Sequence, residues 1–247
     1  MSKNVAIIPA LAGSRGIPDK NILEFAGKPL IAWTIEQACK ASNIDRVIVS
    51  TDSERIADIA RNFGAEVPFL RPAEISASDV AIEPVMVHAY EWLRANESYK
   101  AGSLILLFPT NPLRAIHHID ECLELFISSK ADSVISVHES PAHYTPYWIL
   151  VRDDNGVVSY FGGKDIRAGY ARRQDFPQQC FAKNDLVFVV NPENLFGKFP
   201  SLYGERVELY ITDRIYDGDI NNIEDWDVTL QTFRYLELKK QAGKTSS

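Results

Sequence analysis

The feature that most constrains the fold is an alternation, through residue 137, of short apolar runs with longer segments of helical period. The runs lie at 4–9 (NVAIIP), 46–50 (RVIVS), 104–108 (LILLF) and 133–137 (SVISV). Each is apolar along nearly its whole length, the pattern of a strand covered on both faces. Residues 67–70 read as one more short strand. Between the runs, 29–42 places Leu30, Ile31, Trp33, Thr34, Ala38 and Cys39 close to a helical period. Residues 54–63 form a helix with Ser53 in N-cap position and Gly64 as its stop. Residues 80–96, with Pro84 in the first turn, and 116–129 complete the helical set. Strands separated by helices pair in parallel, so the chain is expected to fold as a layered α/β sheet. Ligands bind such sheets at the carboxyl ends of the strands, here the loops 10–21, 51–52, 110–114 and 138–147.

The rhythm breaks after residue 138. Residues 139–182 are rich in Pro, Tyr, Gly, Arg and Gln, with strand candidates at 147–152 and 157–160 around a DDNG hairpin signal at 153–156. Strands at 186–190 and 207–211 and a helix at 223–240 follow. The expected organisation is a core of 1–138 plus 183–240, an inserted arm at 139–182 and a tail at 241–247. A length of 247 residues suits that arrangement better than two full domains. The 46% apolar content excludes a disordered chain, and the net charge of −7 argues against a nucleic-acid binder. Cys39, Cys122 and Cys180 are too scattered for a metal motif or disulfide framework, which fits a reducing compartment. No run approaches the roughly 20 apolar residues of a membrane span, and 1–9 is too short for an export signal. The expectation is a cytoplasmic enzyme with no membrane and no nucleic-acid partner.

The loop after the first strand, ALAGSRGIPDKN at 10–21, carries the strongest functional signal. Gly13 and Gly16 allow close backbone approach, and Arg15 and Lys20 supply cations, a combination suited to a polyphosphate. A glycine-containing surface turn with two solvated cations is the plain alternative. The loop is neither a Walker A sequence nor GxGxxG.

The stretch VAIIPALAGSRGIPDKNILEFAGKPLIAWTIEQA resembles the start of the bacterial acylneuraminate cytidylyltransferases, the CMP-sialic acid synthetases with their pseudaminic and legionaminic acid relatives. VIVSTDSERIADIARNFGAEVPFLRPAEIS at 47–76, FPTNPLR at 108–114, RRQDF at 172–176 and GDINNIEDW at 218–226 extend the resemblance over nearly the whole chain. It implies a Rossmann-like three-layer nucleotidyltransferase sheet with a small β-rich dimerisation arm. It also implies transfer of CMP from CTP to the anomeric hydroxyl of an acidic nine-carbon sugar, with release of pyrophosphate, for surface glycan or flagellin glycosylation. By resemblance, Arg15, Lys20 and Asp219 are catalytic, and Ala10, Leu11, Gly13, Ser14, Arg15, Asn21 and Arg71 bind the nucleotide. Phe108, Arg173, Gln174 and Phe188 bind the acceptor, and Asp219, Asn221 and Asp217 hold Mg²⁺ or Mn²⁺. The arm is expected to pair two subunits into a homodimer.

The sequence departs from the family pattern at several of these places. Leu11 stands where the family has arginine, Phe108 where glutamine or tyrosine is usual, and Asn221 where the second metal-site aspartate is expected. Glu83 replaces part of a serine-rich turn, and Asn184, Asp185, Leu186, Val187 and Phe188 replace N-G-x-I-Y. Two readings follow: a working site with an unusual acceptor, or a diverged binder of nucleotide or sugar. Transfer from a different nucleotide is a third. His117 and His118 read as caps or solvent-facing residues, Asp52 as a turn or cap, and the aromatic residues around Tyr144–Phe161 as arm packing.

Overall fold

The structure is a computed structural model that describes residues 3–13 and 16–245, with no side chains described from 243 onward. Ser14 and Arg15, both expected at the triphosphate, lie outside the described residues.

In chain order the elements are β1 (Asn4–Ala10), β2 (Glu24–Phe25), β3 (Lys28–Pro29), α1 (Leu30–Lys40), β4 (Arg46–Thr51), α2 (Glu54–Asn62), α3 (Ile82–Glu97), β5 (Ser103–Leu106), α4 (Ile116–Ser129), β6 (Ser133–Glu139), β7 (Leu150–Arg152), β8 (Val158–Tyr160), β9 (Phe181–Val190), β10 (Val207–Thr212) and α5 (Ile223–Thr245). Six strands form the central sheet in the order β10-β6-β9-β5-β1-β4. β1 pairs in parallel with β4 and β5, and β6 with β10. β9 runs antiparallel to both β5 and β6, so the sheet is mixed. The reason is its connection: β9 returns from the arm rather than through a helix laid across one face, and such a direct return reverses the strand.

Alternation along β1 divides the core. Val5 and Ile7 face Met86, Tyr90 and Leu93 of α3. Ala6 and Ile8 face Ile31 and Ile35 of α1, with Ile119 and Leu123 of α4 on the same side of the sheet. Each of these larger side chains contributes roughly 1.5–3 kcal/mol by leaving water. A third cluster, with Phe25, Leu30, Leu113, Phe233 and Leu236, packs α5 against α1 and the turn after β5. Its rings meet edge to face, Trp33 and Phe233 at 4.5 Å and Phe25 and Trp226 at 5.3 Å. That packing carries the segment just before α5 back to the carboxyl ends of β1 and β5.

Residues 67–70 do not form a strand; Glu66 alone bridges Ile48 in this stretch. Pro68 removes a donor that a ladder would need. α5 runs to Thr245, beyond the expected end at 240. Between Glu139 and Phe181 the chain leaves the sheet as a hairpin of β7 and β8 and a set of short turns. Tyr147, Trp148, Tyr170 and Phe176 pack on one another there. Tyr144 and Phe161, expected in the same cluster, are 71% and 61% exposed.

Candidate active site

A cleft of about 390 Å³ opens at the carboxyl ends of β1 and β5, with Leu11, Gly13, Lys20, Asn21, Phe108 and Asn221 among its walls. A smaller chamber of about 160 Å³ adjoins it, sharing Pro9, Leu11, Ser78 and Phe108 and adding Arg71. The chain builds this place from four loops. The loop after β1 ends in a single 3₁₀ turn, Lys20–Ile22, which brings Lys20 and Asn21 inward and buries both. Asn21 Nδ2 donates to the Leu11 carbonyl at 3.0 Å, closing the loop on itself. A Cβ on Gly16 would lie 1.8 Å from the Asn221 carbonyl oxygen. Only glycine allows the loop to lie against 219–222 so closely.

Lys20 Nζ donates to the Ile220 carbonyl. Burial lowers the pKa of this ammonium, while nearby Asp219 and Asp225 act in the opposite sense. Asp219 is held from both sides. Thr110 Oγ1 donates to its Oδ1 at 2.5 Å and Asn221 Nδ2 to its Oδ2 at 2.7 Å. A carboxylate only accepts, so the Asn221 amide nitrogen must face Asp219. The Ile220 N–H donates to the Thr110 carbonyl at 3.0 Å, which ties the two segments together again.

Arg71 is buried beside the smaller chamber. Its backbone N–H donates to the Thr51 carbonyl at 2.7 Å, and its Nε to Ser76 Oγ at 3.2 Å. Burial lowers its pKa and the Asp52 carboxylate opposes that shift. Beneath the floor, the fully buried guanidinium of Arg114 donates to the carbonyls of Phe108 and Leu186 and to Thr34 Oγ1. Desolvation lowers its pKa to about 9, so it remains a cation at neutral pH.

Several expected site residues are elsewhere. Ala10 is fully buried in the core, and the cleft is reached instead by its neighbours Pro9 and Leu11. Phe188 is also a core residue, paired in the sheet with Leu106 and Ile135 and packed under α3. Asp217 makes no hydrogen bond to Asp219 or Asn221 of the kind that joins those two; its Oδ2 lies 3.1 Å from His138 Nε2. Among the described residues no three histidine, cysteine, aspartate or glutamate side chains form a cluster able to hold a metal ion. The Asp219 carboxylate, bonded to the cleft residues Thr110 and Asn221, and the Asn221 amide oxygen remain as hard donors at this place. Mg²⁺ commonly takes only one or two carboxylates from a protein and completes its shell with substrate phosphates and water, so this pair fits that ion.

Arg173 and Gln174 line a separate, open cleft of about 900 Å³ between the arm and β10, together with Ser140, Thr145 and Arg214. It shares no lining residue with the first cleft. Arg172 is engaged by Asp175 at 2.8 Å. His118 caps α4, its Nδ1 accepting from the Ala115 N–H at 3.1 Å. Ser53 caps α2, which leaves Asp52 free of that role.

The sequence assigns no role to Thr110 or Arg114 beyond their place in a loop, and marks Asp185 only as a departure from N-G-x-I-Y. Thr110 and Arg114 sit in a loop correctly placed at a strand's carboxyl end, which was the available signal. Asp185 adopts φ +53 beside the irregular register of β6 and β9, where glycine would be at ease. Its carboxyl pKa is raised by burial and by the negative charges of Asp219 and Asp217.

The chain is similar to known proteins over nearly its whole length. The family profile described as Cytidylyltransferase matches residues 5–227. The CMP-N,N'-diacetyllegionaminic acid synthase of Legionella pneumophila is 39% identical over 245 residues, covering 96% of this chain and 98% of that one. The N-acylneuraminate cytidylyltransferase of Streptococcus agalactiae is 32% identical over 226 residues, and the chain spans 52% of its length. Among solved structures, CMP:2-keto-3-deoxy-manno-octonic acid synthetase complexed with CTP superposes with a TM-score of 0.67 at 18% identity, over 97% of this chain and all of that one. That likeness concerns the fold.

Proposed function

We propose that this chain, which belongs to the cytidylyltransferase family, transfers CMP from CTP to the anomeric hydroxyl of a nonulosonic acid. The observation that supports this most directly is the convergence of Lys20, Asn21, Asn221 and the glycine loop on one cleft, with Asp219 bonded to the cleft residues Thr110 and Asn221 and Arg71 in the adjoining chamber. The acceptor oxygen attacks the α-phosphorus, the bond to the bridging oxygen of pyrophosphate breaks, and the hydroxyl proton passes to solvent. Such a reaction depends on positioning and on charge neutralisation. In this reading Lys20 offers the triphosphate its remaining N–H donors, and the open space at Gly13, where an added Cβ would meet nothing within 4 Å, admits phosphate oxygens against the backbone. Arg71 presents donors to the base or ribose. Asp219 and the Asn221 oxygen would hold Mg²⁺, which would supply charge to the triphosphate.

Arg173 and Gln174 suit a sugar carboxylate and hydroxyls, but they lie in the arm cleft rather than beside Lys20. A second subunit supplying its arm to this cleft would reconcile the two. The exposed apolar residues Leu150, Val157 and Phe161 of the arm and Ile211 of β10 favour such a homodimer. Pyrophosphate release from CTP with Mg²⁺ and sialic, legionaminic or pseudaminic acid tests the reaction, and sedimentation tests the dimer. Failure to release pyrophosphate with all three acids, at micromolar enzyme, would count against this activity.

A further inference from the structure

We propose that Asp52 is a positioning residue that holds the two walls of the nucleotide cleft in register. The tip of β4 touches both walls through two successive residues. The Thr51 carbonyl accepts the Arg71 backbone N–H at 2.7 Å. The Asp52 side chain reaches the other way: its Oδ1 accepts the Ala12 N–H at 3.0 Å, and the same oxygen lies 4.0 Å from the Arg71 guanidinium. One carboxylate oxygen therefore spans the loop after β1 and the arginine of the adjoining chamber. Leu11, next to Ala12, and Arg71 line that same chamber, so a shift of Asp52 changes its width.

The chemistry requires a carboxylate here. The Arg71 side chain is 5% exposed, and a buried guanidinium needs a compensating negative charge nearby. The Asp52 side chain, 25% exposed, is the carboxylate that faces Arg71. The Ala12 N–H is aimed at the carboxylate rather than into the cleft, which orients the start of the glycine loop. The position suits a role in binding and alignment, with no contact to the reacting phosphorus implied.

This inference rests on the nucleotide reading of the cleft, and two substitutions separate its parts. Asp52→Asn keeps an oxygen acceptor for Ala12 but removes the charge facing Arg71. Asp52→Ala removes both. CTP binding by calorimetry without acceptor, and kcat and KM by pyrophosphate release, are measured for both variants and the unaltered chain. A charge-assisted hydrogen bond is worth enough to change a constant by roughly 10- to 100-fold. Asp52→Asn is expected to weaken CTP binding by about 3- to 10-fold with kcat within about 2-fold. Asp52→Ala is expected to weaken binding by about 10- to 100-fold and to lower kcat as well, because the loop loses its anchor. Asp52→Ala binding CTP like the unaltered chain would overturn the proposal. Equal losses in both variants would remove the loop half of it, and an unaffected Asp52→Asn the Arg71 half. If the unaltered chain itself does not bind CTP, the failure lies with the nucleotide reading instead.

Discussion

Replacing Thr110 by valine removes one hydroxyl and keeps the side-chain volume, which makes it a direct test of how Asp219 is aimed. The Thr110 hydroxyl donates to Asp219 Oδ1 at 2.5 Å and Asn221 holds Oδ2 at 2.7 Å. In Thr110→Val the carboxylate keeps one of these two restraints and can rotate about its Cβ–Cγ bond. A hydrogen bond to a charged group contributes about 1.5–3 kcal/mol, so kcat/KM should fall roughly 10- to 100-fold. Because Asp219 faces the proposed Mg²⁺, the loss should appear in the Mg²⁺ concentration needed for half-maximal rate. Mn²⁺ binding to the CTP-loaded protein, followed by electron spin resonance, should weaken in parallel. Thr110→Ser restores the donor and should recover the rate to within about 3-fold. The backbone tie from Ile220 to the Thr110 carbonyl survives both changes, so thermal unfolding should move little. A valine variant with unchanged metal dependence and unchanged Mn²⁺ affinity would refute the reasoning.

Two further outcomes follow from the same geometry. Gly16→Ala should cut kcat/KM by roughly 100-fold, because its Cβ would lie 1.8 Å from the Asn221 carbonyl and must push the loop and 219–222 apart; Gly13→Ala, with nothing within 4 Å, should fold as before, and a melting-temperature comparison checks both. His118 has its pKa pushed from 6.5 down to about 3, first by burial and then by the neighbouring His117 and Arg114. Its neutral folded form therefore supports stability above about pH 6.5, and that support is lost as pH falls toward 3, by at most about 5 kcal/mol. Urea unfolding of His118→Gln should show a flatter decline between pH 6.5 and 4, and an unchanged slope would contradict this account.

What could be read ahead of the structure depended on the reach of each signal. The loop at 10–21 and the motif around Asp219 carry their chemistry in contiguous residues, and the structure brings their described members together. Thr110 and Asp52 act on partners 109 and 40 residues away, so nothing beside them in the sequence reveals their roles. The apolar run at 186–190 announces a buried strand but has no alternation, so it could not assign Phe188 to core or cleft. The direction of β9 was hidden for a related reason. Period and composition identify a strand, whereas its orientation depends on whether the preceding connection crosses a face of the sheet. The separation of Arg173 and Gln174 from the nucleotide cleft likewise depends on where the arm folds, which short strands and turns do not specify.

The two departures at the centre of the site are of opposite sign, and that bears on whether the cleft is impaired. Leu11 lacks a cation present in the family pattern and Asn221 lacks an anion, and both residues line the same cleft. Losing either charge alone would leave the cleft unbalanced around a buried ammonium at Lys20 and a half-buried carboxylate at Asp219. Losing both keeps the local sum, and Asn221 gains a donor bond to Asp219 that an aspartate could not make. The pair therefore has the character of a compensated exchange, and its members should be coupled. Leu11→Arg alone sets a second cation near Lys20, and Asn221→Asp alone sets a second carboxylate against Asp219. Each single change should lower kcat/KM, and the double change should recover much of the loss, with a coupling of about 1–2 kcal/mol in a double-mutant cycle. Effects that add to within about 0.5 kcal/mol would show that the two positions act independently. A gain in rate from Leu11→Arg alone would instead mean that the cleft lacks a cation it needs.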